Sequence, residues 1–204
     1  MRIEWIEKER EATNLSEIFR IRHDVFKVRL DWNVVVHDGM ERDHFDDLSP
    51  IYLFAQDMQS GAKGCFRLLP TTGPYMLRDI FPELLHGAPA PCGEDIYEIS
   101  RFAVVPGHSI SEAASMASVQ RLTKRMLLEL MILCFEKGIN SVVAVTDVRF
   151  ERILSRAGFP TTRYGEPMLI GGVPSVAGQG DMTKTSVIQL IDALRPQRQR
   201  RMAA

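Results

Sequence analysis

"YEISRFAV", residues 97–104, has the apolar content of a buried strand in Tyr97, Ile99, Phe102, Ala103 and Val104. Its middle nevertheless holds Glu98, Ser100 and Arg101. Alternation along a regular strand sends Glu98 and Ser100 to one face and Arg101 to the other, and charged side chains are rarely fully buried unless paired. One reading is a half-exposed edge strand, or a core strand with a structural Glu–Arg pair. The other is a strand that ends at a cleft, where a bulge turns Glu98 and Arg101 to the same side.

Strands and helices alternate on either side of this stretch. "RIEWIE" suits a first strand. "TNLSEIFRIRHDVFK" spaces Leu15, Ile18, Phe19, Arg22 and Phe26 as one helical face, with Thr13 or Asn14 as its cap. Residues 31–50 read as a polar loop with an acidic bias. "IYLFAQD" (51–57) and "CFRLLPT" (65–71) form a hairpin around a "GAKG" turn. "MLRDIFPELL" reads as a short helix, and a long amphipathic helix runs from about Ser111 to Lys137, ended by Gly138. "SVVAVTD" (141–147) is a strand and "VRFERILSRAG" a helix stopped by Gly158. "EPMLIGGVP" returns to the sheet, and "MTKTSVIQLIDAL" is a last helix with Thr183 as cap. The pattern predicts a mixed α/β sheet with helices on its faces. No repeat or linker interrupts it, so residues 1–204 are expected to form a single domain, with a disordered basic tail at 195–204.

A chain of 204 residues that is 45% hydrophobic and 25% charged has an ordinary globular composition. A net charge of -1 gives no bulk drive toward nucleic acid, and the arginines of "RPQRQRRMAA" are the only basic run. Cys65, Cys92 and Cys134 are odd in number and form no C-x-x-C pair, as expected of reduced residues in an intracellular protein. The N-terminus has no apolar signal region, and "MLLELMILCF" (126–135) is interrupted by Glu129 and too short to span a bilayer. The expectation is a cytoplasmic, soluble protein with no membrane or nucleic-acid partner.

More polar residues sit where packing does not call for them. Arg22 lies within an apolar helical stripe and shares a face with Phe26, as a snorkelling side chain or a functional one. "DWNVVVHDGMERDHFDD" carries Trp32, Asp38, Glu41, Asp43, Asp46 and Asp47. It lacks the spacing of a calcium loop, and His44 with its acidic neighbours does not make a zinc arrangement. An aromatic face near carboxylates suits an organic cation; a solvated acidic loop is the alternative. Arg67 stands between Phe66 and Leu68 in a strand.

"RHDVF" with Arg22 and Phe26, Trp32 six residues on, "ERDHFD" with Asp43 and Asp46, "FRLLPT" with Arg67 and "YEISRF" with Glu98 and Arg101 together resemble the acyl-homoserine lactone synthases, the autoinducer synthases of bacterial quorum sensing. "VTDVRFERILSRAGF" and "YGEPMLIGGVPSVAG" extend the resemblance over most of the chain. It implies a three-layer α/β/α sandwich with a mixed central sheet, like that of the acetyltransferases. It also implies two substrates, S-adenosylmethionine and an acyl thioester on acyl carrier protein or coenzyme A, with no cofactor and no metal. The reaction it implies is acylation of the methionine amine, then lactone closure with release of methylthioadenosine.

The resemblance assigns Glu98 as general base, with Ser100 and Arg101 beside it as catalytic residues. Arg22, Phe26, Trp32, Asp43, Asp46, Arg67 and Phe81 are assigned to S-adenosylmethionine: acids for its positive groups, arginines for its carboxylate, aromatic rings as walls. Met126, Val143, Val145 and Thr146 are the expected acyl-chain pocket, between strand 141–147 and the long helix. The Gly-rich phosphate turn of general acetyltransferases is missing from "VVPGHSISEAAS", which leaves the donor open. An acidic carrier protein would meet Arg121, Lys124, Arg125, Arg149, Arg152 and Arg156. Another acyltransferase of the same fold would not need Arg22, Trp32, Asp43 and Asp46 together. A regulator that senses S-adenosylmethionine would need the pocket but not Glu98.

Overall fold

The structure is a computed structural model, which describes residues 1–7, 12–57, 59, 61–106, 112–159, 161–182 and 188. The expected last helix with its Thr183 cap and the basic tail lie outside the described residues, apart from Met182 and Ile188.

The strands are β1 (Arg2–Glu7), β2 (Val36–His37), β3 (Met40–Glu41), β4 (Ile51–Asp57), β5 (Gly61–Pro70), β6 (Ile96–Val104), β7 (Ser141–Asp147), β8 (Thr162–Arg163), β9 (Met168–Ile170) and β10 (Val173–Asp181). The α-helices are α1 (Ala12–Arg22), α2 (Met76–Asp79), α3 (Glu112–Lys137) and α4 (Val148–Arg156). The main sheet runs β1-β4-β5-β6-β7-β10-β8, with β9 added on β10. Every pairing in it is antiparallel except β6 with β7. The mixed sheet with helices on both faces is the expected sandwich.

Each face has its own core. On one side α3 lays Leu122, Met126, Leu130 and Leu133 over Leu53, Phe66 and Ile99, joined by Leu154 of α4. The four α3 positions recur at i+4 and i+3, the stripe of a buried helix face. α3 stops at Gly138, whose φ of 71° is the left-handed turn that glycine adopts freely. On the other side Ile18 and Ile21 of α1 and Val25 and Phe26 of the π-helical turn His23–Arg29 cover Tyr52, Phe54, Cys65 and Ala103. A third cluster on that side gathers Phe45, Leu69, Tyr75, Leu77, Val143 and Ala177.

Four local expectations are corrected. Residues 31–50 contain the β2–β3 hairpin, turned by Asp38 (φ 50°) and Gly39 (φ 70°) in the left-handed pair that suits a tight hairpin. "GAKG" is strand rather than turn: Gly64 is small because Met126 presses on it, and a Cβ there would come within 2.7 Å of the Met126 Sδ. "MLRDIFPELL" splits into α2 and a 3-10 turn, Pro82–Leu85, because Pro82 disfavours helical backbone at Phe81. Thr13 and Asn14 lie inside α1, not at its cap.

Candidate active site

The bulge expected in "YEISRF" is present. Arg67 of β5 pairs with Ser100 and Cys65 with Ala103, so Arg101 and Phe102 together oppose Phe66 alone. Arg101 takes up the extra residue with a φ of 55°. The alternation resets there, so Glu98, Ser100 and Arg101 all face the α1 side, while Phe102 stacks on Phe66 on the α3 side. β6 pairs with β7 only from Ile96 to Ile99, so among the described residues the β7-side edge of its second half carries no strand.

Beneath the bulge lies a buried ion cluster of three arginines and three carboxylates. Arg22, at the end of α1, is fully enclosed rather than snorkelling. Its Nε donates to Glu41 at 2.5 Å and its Nη atoms to both oxygens of Asp46, at 2.8 and 2.9 Å. Arg67 donates to Asp43 at 2.5 Å, to Asp46 at 2.8 Å and to the Ser100 hydroxyl at 3.1 Å. Arg101 bridges Glu41 at 3.0 Å and Asp43 at 2.8 Å. The Tyr52 hydroxyl donates to Asp46 at 2.6 Å. Burial pushes the Asp46 carboxyl up, but the hydrogen bonds and charges of Arg22, then Arg67 and Tyr52, hold it well below the usual carboxylate range. The acidic loop delivers these groups through a 3-10 turn capped by Asp43, whose side chain accepts from the Phe45 N–H.

The cluster opens at one rim. Arg22, Glu41, Asp46 and the Arg67 side chain are closed off, whereas Asp43 and Arg101 keep 14% and 12% of their side chains exposed. The aromatic pair stands beside this rim. Phe26 lies under the Arg101 guanidinium at 5.6 Å and stacks with the partly exposed Trp32 at 5.1 Å. Glu98 is 1% exposed, and its two oxygens accept the backbone N–H groups of Met76 and Leu77 at 2.9 and 2.6 Å. Burial pushes its carboxyl up to about 7, against the pull of those N–H groups and of Arg67 and Arg101. The Met76 Sδ touches Arg67 at 3.3 Å and Arg101 at 3.4 Å, so Glu98 and the cluster are neighbours through one residue.

The structure therefore gathers Arg22, Phe26, Trp32, Asp43, Asp46, Arg67, Glu98, Ser100 and Arg101 in one place. Phe81 packs against the third apolar cluster, which also holds Met76. The four residues expected to line one acyl pocket are divided by the sheet. Met126 lies on the α3 side, with Thr146 on the matching face of β7. Val143 and Val145 belong to the opposite cluster, with Phe81. The strand alternation of "VVAVT" carries that signal, and a pocket between β7 and α3 is open to only half of the set. Sequence reasoning names Glu41 among the acids of its loop but gives it no role in the site, where it ties Arg22 to Arg101. Its signal is weak, since it stands among several acids in one loop and its partners are distant in sequence. Among the described residues no group of His, Cys, Asp and Glu is arranged to hold a metal ion, and no helix is long and apolar enough to cross a membrane.

The profile of the family described as autoinducer synthase matches residues 7–190. An acyl-homoserine-lactone synthase of Pseudomonas aeruginosa is 39% identical over 178 residues, 86% of each chain. The crystal structure of the AHL synthase LasI superposes with a TM-score of 0.84 at 35% identity, covering 96% of this chain and 97% of that one. BjaI, a CoA-dependent acyl-homoserine lactone synthase solved with SAM and isopentyl-CoA, gives 0.80 at 28% identity over 93% and 87%. BjaI has also been solved with MTA.

Proposed function

The chain belongs to the autoinducer synthase family, and from that premise we propose that it is an acyl-homoserine lactone synthase. It takes an acyl group from a thioester on acyl carrier protein or coenzyme A to the amine of S-adenosylmethionine. It then closes the lactone and releases methylthioadenosine. The observation that supports this most is the ion cluster whose open rim, Asp43 and Arg101, adjoins both Glu98 and the half of β6 that lies beyond its pairing with β7.

S-adenosylmethionine brings a sulfonium, an ammonium and a carboxylate. Asp43 at the rim suits a positive group, Arg101 the carboxylate, and the Phe26–Trp32 stack a sulfonium or an adenine face. Asp46, Glu41, Arg22 and Arg67 are fully engaged with one another, so their part is to hold the rim in position. The ammonium must lose a proton before its nitrogen can attack. Glu98, raised to about 7, is suited to take that proton, directly or through a water.

The nitrogen lone pair adds to the thioester carbonyl, and the oxyanion is met by backbone N–H groups of the open β6 edge. Collapse forms the amide and expels the thiolate, which takes up a proton. The methionine carboxylate oxygen then attacks its own γ-carbon, and the carbon–sulfur bond breaks toward methylthioadenosine. That closure is an orientation problem, and holding the carboxylate on Arg101 addresses it.

The test is release of methylthioadenosine by purified protein given S-adenosylmethionine and a panel of acyl-coenzyme A and acyl-carrier-protein donors. Acyl-dependent release, abolished in Asp43→Asn, is expected. Release that needs no acyl donor, or none with any donor, would contradict the proposal.

A further inference from the structure

The open edge of β6 carries a group that the chemistry above leaves unused. Gly64 pairs with Val104, and the Val105 N–H donates to the Lys63 carbonyl at 3.0 Å. Lys63 and Val105 are thus a hydrogen-bonded pair of the antiparallel ladder. Val104, one residue earlier, must turn its own N–H and C=O away from β5. They point toward the side where β7 would lie, but β7 is paired with β6 only as far as Ile99. Among the described residues no strand pairs with that edge, so the Val104 carbonyl is an acceptor at an open strand edge. Its partner is the guanidinium of Arg29, whose Nη1 donates to it at 3.1 Å.

Arg29 differs from the arginines of the cluster. It is exposed, and among the described residues it has no carboxylate in ion-pair contact. It is the last residue of the π-helical turn that also supplies Phe26, so it stands on the same wall as the aromatic stack. Across the bulge the run from Ser100 to Val104 matches the three β5 steps from Arg67 to Gly64, so at about 3.3 Å per residue Val104 lies roughly 10 Å along the strand from Ser100. Both donor classes of a synthase carry the same arm, two amides in series ending in a phosphate. An arm whose thioester lies near Ser100 runs along the open edge and brings its phosphate toward Arg29. An amide N–H of the arm can take the Val104 carbonyl in the way an added strand would, which frees the guanidinium for the phosphate.

We infer that Arg29 binds the phosphate of the donor's phosphopantetheine arm, and that in the absence of donor it covers the strand-edge carbonyl which that arm takes. The inference rests on the synthase reading and adds a donor site to it. Guanidinium and phosphate match as a fork to a pair of oxygens, which a point-charged ammonium does less well.

The experiment compares binding of 4′-phosphopantetheine and of pantetheine, which lacks the phosphate, by calorimetry in the presence of S-adenosylmethionine. The unmodified protein is expected to prefer the phosphorylated arm by about tenfold, as one charge-assisted contact gives. Arg29→Ala should lose the preference while binding S-adenosylmethionine normally, and Arg29→Lys should retain part of it. Coenzyme A and a phosphopantetheinylated carrier protein, run as further arms, show which source is bound, and that affinity should also fall in Arg29→Ala. A preference that survives in Arg29→Ala, one absent from the unmodified protein, or a lysine no better than alanine would overturn the inference. If lactone still forms in those cases, the Arg29 assignment alone has failed. If no donor yields lactone, the synthase reading has failed with it.

Discussion

Replacing Glu98 by glutamine should change the pH dependence of stability in a calculable way. The carboxyl is raised from its ordinary 4.5 to about 7, chiefly by burial. Between those values the unfolded chain releases its proton while the folded chain keeps it. The contribution of this group is therefore greatest in acid and is lost as pH rises through 7. A displacement of this size corresponds to about 3 kcal/mol, of which about 2 to 3 falls between pH 5 and pH 8.5. The introduced glutamine does not titrate, but its amide can accept from only one of the Met76 and Leu77 N–H groups and turns its own NH2 toward the other. That costs about 1–3 kcal/mol at every pH. The Glu98→Gln variant should thus be less stable than the unmodified protein at pH 5 and close to it at pH 8.5. In Tm the gap should narrow by about 5–10 °C for a chain of this length. Thermal unfolding by circular dichroism in matched buffers reads it directly. Parallel Tm curves for the two proteins would refute the reasoning, because Glu98 would then not hold its proton in the folded state.

Other substitutions follow from single contacts. Asp46→Asn leaves the cluster with an uncompensated buried positive charge; it should lower stability by about 3–5 kcal/mol, seen in urea unfolding, and abolish lactone formation. Arg101→Gly should be about 1 kcal/mol more stable than Arg101→Ala, since only glycine adopts a φ near 55° without strain, and both should be inactive. Gly64→Ala drives a methyl into the Met126 thioether and should cost about 1–3 kcal/mol; adding Met126→Ala should recover part of that loss in a double-mutant cycle.

Much of this site is written in residue types that contradict their surroundings. Arg22 in an apolar stripe, Arg67 between Phe66 and Leu68, and a carboxylate, hydroxyl and guanidinium inside one strand all had to be paired or functional. The structure shows how: the bulge at Arg101 rotates three alternating side chains onto one face. Less legible are features fixed by partners far along the chain. β10 reads short in sequence because "VPSVAGQGD" has few large side chains; Gly178 and Gly180 are small because Thr161 and Phe159 press on them. Glu41 looks like one more solvated acid until α1 and the bulge enclose it. The β2–β3 turn does have a local signal, the Asp38–Gly39 pair, which an acidic, motif-rich loop obscures. The faces of "VVAVT" can likewise be separated by strand period alone, which parts Val143 and Val145 from Thr146.

In the proposed reaction the ion cluster and Glu98 together make a homoserine lactone. Mass spectrometry of organic extracts from cells expressing the protein, beside cells expressing Asp46→Asn or Glu98→Gln, tests it most directly. A homoserine lactone found only with the unmodified protein is the expected result, and its mass identifies the acyl group. No lactone with any supplied acyl or aryl precursor, or the same lactone from all three strains, would contradict the account.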